Sequence, residues 1–173
     1  MAIRMFQGDL FVANIEDVRT KHSQELMAIN WFSLSKKGRK TSLRYEWDDG
    51  ASYFEVKNDT EHAIASVWDA DILLFCISVL VDKINRGEEI SNELSFYGAD
   101  FLYFIGRRTR QNGGRAYLDI WNKLQRLHTT RVTTSVRKVG QLDWSFYWLA
   151  DIKQGIDEQG RHRGYKVRVA DWI

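Results

Sequence analysis

Arg107-Arg108-Thr109-Arg110-Gln111-Asn112-Gly113-Gly114-Arg115 runs into Ala116-Tyr117-Leu118-Asp119-Ile120-Trp121-Asn122-Lys123-Leu124-Gln125-Arg126-Leu127, and then, after His128-Thr129-Thr130, into Arg131-Val132-Thr133-Thr134-Ser135-Val136-Arg137-Lys138. From about Arg115 to Leu127 the apolar residues Tyr117, Ile120, Trp121, Leu124 and Leu127 recur at helical spacing. Arg115, Asp119, Asn122, Lys123 and Arg126 fall on the opposite face, as 3.6 residues per turn requires. After His128 the period changes to two, with Val132, Thr134 and Val136 alternating with Arg131, Thr133 and Ser135. Upstream, Tyr97 to Ile105 reads as a helix, and the polar, glycine-ended Arg107–Gly114 segment reads as a turn. The order is helix, turn, helix, strand, strand. That predicts an α+β fold of the winged helix-turn-helix type.

Charge sharpens this reading. The segment from Arg107 to Lys138 contains nine of the chain's 25 basic residues but one, Asp119, of its 23 acidic ones. The rest of the chain is therefore net negative. Such polarisation carries a cost in self-repulsion and is expected where an anionic polymer is held. A recognition helix must enter a groove about 12 Å wide with a polar outer face. Its Arg and Asn residues can pair with base edges, while cations on flanking turns neutralise phosphate. The expected DNA-binding residues are Arg107, Arg108, Arg110, Arg115, Asn122, Lys123, Arg126, Arg137 and Lys138. Gly113 and Gly114 would permit close approach of backbone to phosphate. A basic helix face that is merely solvated is the plainer alternative for any one of these residues.

Working outward, Ser66 and Asp69 form a Ser-x-x-Asp capping pattern ahead of Trp68, Ile72, Phe75, Cys76, Val79, Leu80 and Ile84, an apolar series at helical spacing that Gly87 ends. Asp69 and Asp71 in the first turn read as dipole-favoured cap residues rather than a catalytic pair. Ile90 to Ser95 reads as a short strand. Trp31–Ser35, Leu43–Trp47 and Tyr53–Val56 predict a three-stranded antiparallel meander, with Lys36-Lys37-Gly38-Arg39-Lys40 and Asp48-Asp49-Gly50 at its turns. Asp9 to Ile15 reads as a short strand or an extended arm. Leu142 to Ile152, rich in Trp144, Phe146, Tyr147 and Trp148, is expected to be one strand, and its aromatics on both faces suggest a dimer contact. Asp157–Gly160 turns the chain into a final strand, Tyr165–Val169, with Arg163, Lys166 and Arg168 beside it. One domain is expected over residues 1–173: residues 1–57 as arm and meander, residues 66–173 as helical core and wing.

Composition excludes other classes. A hydrophobic fraction of 44% with seven Trp needs a real interior. No Pro is present, so loops turn on Gly, Asn and Asp. The single Cys76 leaves no intrachain disulfide and no multi-cysteine zinc site, which fits a reducing cytoplasm. No signal peptide is visible, and the longest apolar stretch, Ile72–Val81, falls short of the ~20 residues a membrane span needs. His22, His62, His128 and His162 lack metal spacing, and no phosphate-binding Gly-x-x-x-x-Gly-Lys-Ser/Thr loop occurs. Cys76 on an apolar helix face reads as packing. The expectation is a non-enzymatic protein with no cofactor, no metal and no membrane.

The chain resembles the plasmid replication initiator protein A family along its length. Asp9-Leu10-Phe11-Val12-Ala13-Asn14-Ile15 is similar to that family's opening, as are Trp31-Phe32-Ser33-Leu34-Ser35-Lys36-Lys37 and Leu43-Arg44-Tyr45-Glu46. Trp68-Asp69-Ala70-Asp71-Ile72-Leu73 resembles its Trp/Phe-Asp-Lys-Asp-Ile-Leu signature, with Ala70 in place of Lys. Gly113-Gly114-Arg115-Ala116-Tyr117, continuing through Leu124-Gln125-Arg126-Leu127 to Thr130, resembles its helix motif, with Leu118 and Asp119 where basic residues are expected. Val169-Ala170-Asp171-Trp172 resembles its Leu-Ser-Asp-Trp. The resemblance implies the amino-terminal winged-helix domain of an initiator that binds repeated double-stranded origin DNA, forms homodimers and recruits host replication proteins. A module given mainly to dimerisation and regulation, or a winged-helix transcriptional repressor, are the readings that stay open beside it.

Overall fold

The computed structural model describes residues 31–34, 40–47, 50–89, 91–107, 114–139, 142–156, 158–160 and 162–170, with the backbone alone at 47, 136–139, 142–143 and 162. The arm Asp9–Ile15, the cluster Lys36, Lys37 and Arg39, the turn residues Asp48 and Asp49, Arg108, Arg110, Gly113 and Asp171–Trp172 lie outside the described residues.

Alternation builds the first sheet. Strands β1 (Ser42–Trp47), β2 (Ser52–Asn58), β4 (Thr130–Val139) and β5 (Leu142–Tyr147) lie in the order β1-β2-β4-β5, each pair antiparallel. Leu43, Val56, Val132 and Phe146 stand in register across it, and Val56, Val132 and Phe146 are buried. One residue along, Arg44, Glu55, Thr133 and Ser145 share the outward face. This is the period-two pattern of a half-buried sheet. The second sheet holds β3 (Glu93–Phe96), β7 (His162–Val169) and β6 (Leu149–Ile156) in the order β3-β7-β6, again antiparallel.

Among the described residues there are three helices: α1 (Val67–Asn85), α2 (Gly98–Phe104) and α3 (Gly114–Thr129). Ile72, Leu73, Phe75 and Cys76 of α1 and Ile120, Leu124 and Leu127 of α3 are buried together with residues from both sheets. Burying a side chain of that size stabilises by about 1.5–3 kcal/mol. Phe75 meets Phe96, Phe101 and Phe104 edge-on, with centroids 5.1, 5.7 and 5.4 Å away. Two buried polar groups of the sheet–helix junction are satisfied by named partners. Asn58 bridges Ala63 O and Thr129 Oγ1, and the Ala65 amide donates to Thr130 Oγ1 at 2.8 Å.

Three sequence expectations are corrected. Leu142–Ile152 is not one strand: it breaks at Trp148 into β5 and β6, which belong to different sheets. The reason is burial of neighbours. Trp148 and Leu149 are 5% and 0% exposed, and a straight strand sends successive side chains to opposite faces. Within the expected strand Trp31–Ser35, the described residues 31–34 do not form a strand either. Ser33 alone makes a parallel bridge to Ser66, with its amide 2.9 Å from Ala65 O, while Trp31 and Phe32 turn onto Phe54 and Trp148 at 4.8 Å. The hairpin β4–β5, expected as the wing carrying Arg137 and Lys138, pairs with β2. The hairpin that pairs with β3 is β6–β7, because β7 supplies Val167 and Tyr165 to cover the core beside Leu94 and Phe96.

Candidate nucleic-acid interface

Helix α3 is placed by its apolar stripe, which packs against β6 and α1. Its N-terminal end is the open one. Gly114, Arg115 and Leu118 are exposed, Leu118 at 57%, and Arg107 is exposed at the end of the α2 turn. Asn122 is half-buried. Among the nine basic or amide residues expected to meet DNA, Arg115 is exposed at this end and Arg107 is exposed just after α2. Arg108 and Arg110 lie outside the described residues, and Arg137 and Lys138 are placed in β4 by backbone alone.

Lys123 and Arg126 face a different partner. Asp69, in the first turn of α1, is 1% exposed. Arg126 grips it bidentately, Nε donating to Oδ2 at 2.9 Å and Nη2 to Oδ1 at 2.7 Å. Lys123 Nζ donates to Trp68 O at 2.5 Å and lies 3.8 Å from Asp69 Oδ1. The same carboxylate accepts the Ser66 amide at 2.7 Å and the Ser66 hydroxyl at 2.9 Å. The helix-start pattern Ser66-x-x-Asp69 is thus realised, with the carboxylate as hub. The hydrogen bond to Asp69 raises the Arg126 pKa above its ordinary value, with burial opposing it. A carboxylate so buried needs this pairing, since an unpaired buried charge is costly. The arrangement ties the start of α1 to the C-terminal half of α3.

The aromatics of the expected dimer strand are largely spent inside the chain. Phe146 and Trp148 are buried and meet at 5.5 Å, Trp144 lies 4.4 Å from Phe146, and Tyr147 donates its hydroxyl to Asp59, which also pairs with Arg131 at 3.1 Å. Cys76 is fully buried. Among the described residues no group of three His, Cys, Asp or Glu side chains is placed to hold a metal ion, and no helix is long and apolar enough to cross a membrane.

Sequence reasoning left a second basic group out of the site. Lys153 of β6 and Arg163, Lys166 and Arg168 of β7 are exposed on the β3-β7-β6 sheet. The signal was present in the alternation of Lys166 and Arg168 with Tyr165, Val167 and Val169. The Arg126–Asp69 pair, 57 residues apart, left no such signal.

The fold, three helices with antiparallel sheets among the described residues, is similar to that of RctB. Two crystal structures of its domains 2 and 3 superpose with TM-scores of 0.56 and 0.54, at 18% and 17% identity, over 80% of this chain and 56% and 54% of theirs. The model of the family described as replication initiator protein A matches residues 21–173, and the chain belongs to that family. A curated relative from Wigglesworthia glossinidia brevipalpis, provisionally named a replication protein, is 32% identical over 131 residues, which is 74% of this chain and 45% of the relative. The chain spans about half the length of that relative.

Proposed function

We propose that this chain is the DNA-holding, amino-terminal part of a plasmid replication initiator, a winged-helix unit that binds repeated double-stranded origin DNA in the cytoplasm and has no catalytic role. Membership of the replication initiator protein A family over residues 21–173 carries the reading. The order α1-β3-α2-α3, followed after β4 and β5 by the β6–β7 hairpin that pairs with β3, supports the winged-helix assignment. The exposed N-terminal end of α3 supports the contact surface, with Arg115 on it and Arg107 exposed just after α2; Arg108, Arg110, Arg137 and Lys138 complete the proposed set by their place in the basic stretch of sequence. Asn122, half-buried on the same helix, is the amide assigned to a base edge in this reading. Lys123 and Arg126, by contrast, hold the helix to α1 and contribute to the field more than to contact. Homodimer formation and recruitment of host replication proteins, both implied by the family, belong to the same reading.

The test is a titration of the chain with duplex carrying origin repeats, against scrambled duplex of equal length, at several salt concentrations. Tight, salt-steep and repeat-selective binding that Arg115→Ala weakens would support the reading. Equal binding to both duplexes would remove origin recognition from it, and no binding to either would remove DNA from it. Sedimentation at several concentrations checks the dimer.

A further inference from the structure

We propose that the outward face of the β3-β7-β6 sheet takes a single-stranded segment of DNA, its phosphates on Lys153, Arg163 and Lys166 and one base against the ring of Tyr97. The idea rests on the reading of the chain as a DNA-binding replication protein but uses a surface apart from α3. The sheet's inward face is committed to the core. There the Tyr165 hydroxyl donates to Tyr117 O of α3 at 2.7 Å, and the Trp121 ring of α3 lies parallel to Tyr165 with centroids 6.4 Å apart. Helix α3 and the proposed strand therefore lie on opposite sides of one sheet.

On the outward side, Ser95, Lys166 and Lys153 stand in register, and Gly164 and Gly155 follow as the next row toward the hairpin turn. A groove of about 360 Å³ runs here, lined by Tyr97 and Arg163 and, among the described residues, by no carboxylate. Gly164 sits at φ +122°, and a Cβ on it would come within 3.0 Å of Phe96 O and 3.6 Å of Tyr97 Cδ1. Glycine keeps that floor open and lets the tyrosine ring stand over it. Tyr97 is nevertheless 65% exposed.

Each element alone is ordinary; their coincidence selects the ligand. Glu93 and Asp151, flanking Arg168 one row farther along, pair with Lys166 at 2.6 Å and Lys153 at 3.0 Å. Both pairs are half-exposed, and pairs of that kind are weak and salt-screened, so phosphate oxygens can replace the carboxylates. A cationic groove with a ring in its wall is the arrangement that holds single strands, because an unpaired base offers a free face for stacking. A duplex hides its base faces and gains nothing from Tyr97. An acidic peptide would use the cations but not the ring.

The experiment is fluorescence anisotropy of the whole chain with a labelled oligothymidylate of about 12 nucleotides, within the ~4–16-nucleotide site sizes known for such grooves. Duplex origin DNA and poly-L-glutamate serve as competitors. Tyr97→Ala is expected to weaken oligothymidylate binding about 5- to 150-fold, the range for losing one stacked base. Tyr97→Phe keeps the ring and is expected to keep the affinity. The double change Lys153→Gln with Lys166→Gln is expected to flatten the salt dependence by about one unit or more. All three variants should keep the parent circular dichroism and duplex affinity, whereas Arg115→Ala should lower duplex affinity and leave the single strand bound. Failure of the duplex arm alone would therefore strike the preceding proposal and not this one. Absent oligothymidylate binding, an unchanged affinity in Tyr97→Ala, equal losses on duplex, or competition by poly-L-glutamate as strong as by the oligonucleotide would each overturn it.

Discussion

Arg126 and Arg115 stand on one helix with the same side chain and different work. Arg126 neutralises a carboxylate that is 1% exposed, so removing it strands a buried charge. Breaking such a pair from one side costs about 3–5 kcal/mol. Arg126→Ala is expected to lose stability near the lower end of that range, since Ser66 and Lys123 still serve Asp69. Arg115→Ala, on an exposed site, should change stability by no more than about 0.5 kcal/mol. Urea unfolding of the two variants checks the contrast, and equal losses would contradict it. Cys76 sets an alkaline limit. Burial pushes its thiol up to about 12 from the ordinary 9. The folded state thus holds this proton where the unfolded state has lost it. The stability it contributes is full below pH 9 and disappears as pH rises through about 12. Unfolding midpoints measured across that window should fall with pH in the parent and fall less steeply in Cys76→Ala. Thiol reagents should label Cys76 only as fast as the chain unfolds.

Helix α2 is short, and its position depends on a missing side chain. A Cβ at Gly98 would lie 2.7 Å from the ring of Tyr117 and 3.1 Å from Ile120 Cδ1. Glycine lets α2 close on α3, which fixes the angle at which the end of α3 is presented. Gly98→Ala is expected to destabilise by about 1–3 kcal/mol, the usual cost of overpacking. It should also weaken duplex binding beyond what the stability loss explains, because the α2–α3 geometry shifts. Thermal melts paired with binding isotherms well below the melting range separate the two effects. The helices were legible in sequence because their own periodicity declares their buried faces: Ile72, Phe75 and Cys76 in α1, Ile120, Leu124 and Leu127 in α3. The break at Trp148 was not legible, because Leu142–Ile152 looks like one strand until two sheets compete for it. The same competition moved the hairpin bearing Arg137 and Lys138 away from β3.

Among the described residues, exposed positive charge on the helix–sheet side of the molecule falls into more than one group. Arg115 lies at the open end of α3 and Arg107 is exposed just after α2, while Lys153, Arg163, Lys166 and Arg168 are exposed on the β3-β7-β6 sheet. Lys123, though on the same helix as Arg115, has its ammonium against Trp68 O. The salt dependence of duplex binding should report this difference. Arg115→Ala is expected to reduce the slope of log affinity against log salt by about one unit, as one phosphate contact is lost. Lys123→Ala should change it by less. Equal changes in the two slopes would mean that Lys123 leaves Trp68 to meet DNA.

Local chemistry in the chain was enough to establish the helices, most strands, the capped start of α1 and the excess of positive charge between Arg107 and Lys138, since these follow from short-range periodicity and composition. The partner of each charge was settled by folding. Arg126 and Asp69 meet because α1 and α3 bury their apolar faces against each other, and Lys153 and Lys166 meet because β7 lies between β3 and β6. Contacts between residues far apart in the chain depend on how layers pack, and no local pattern encodes that.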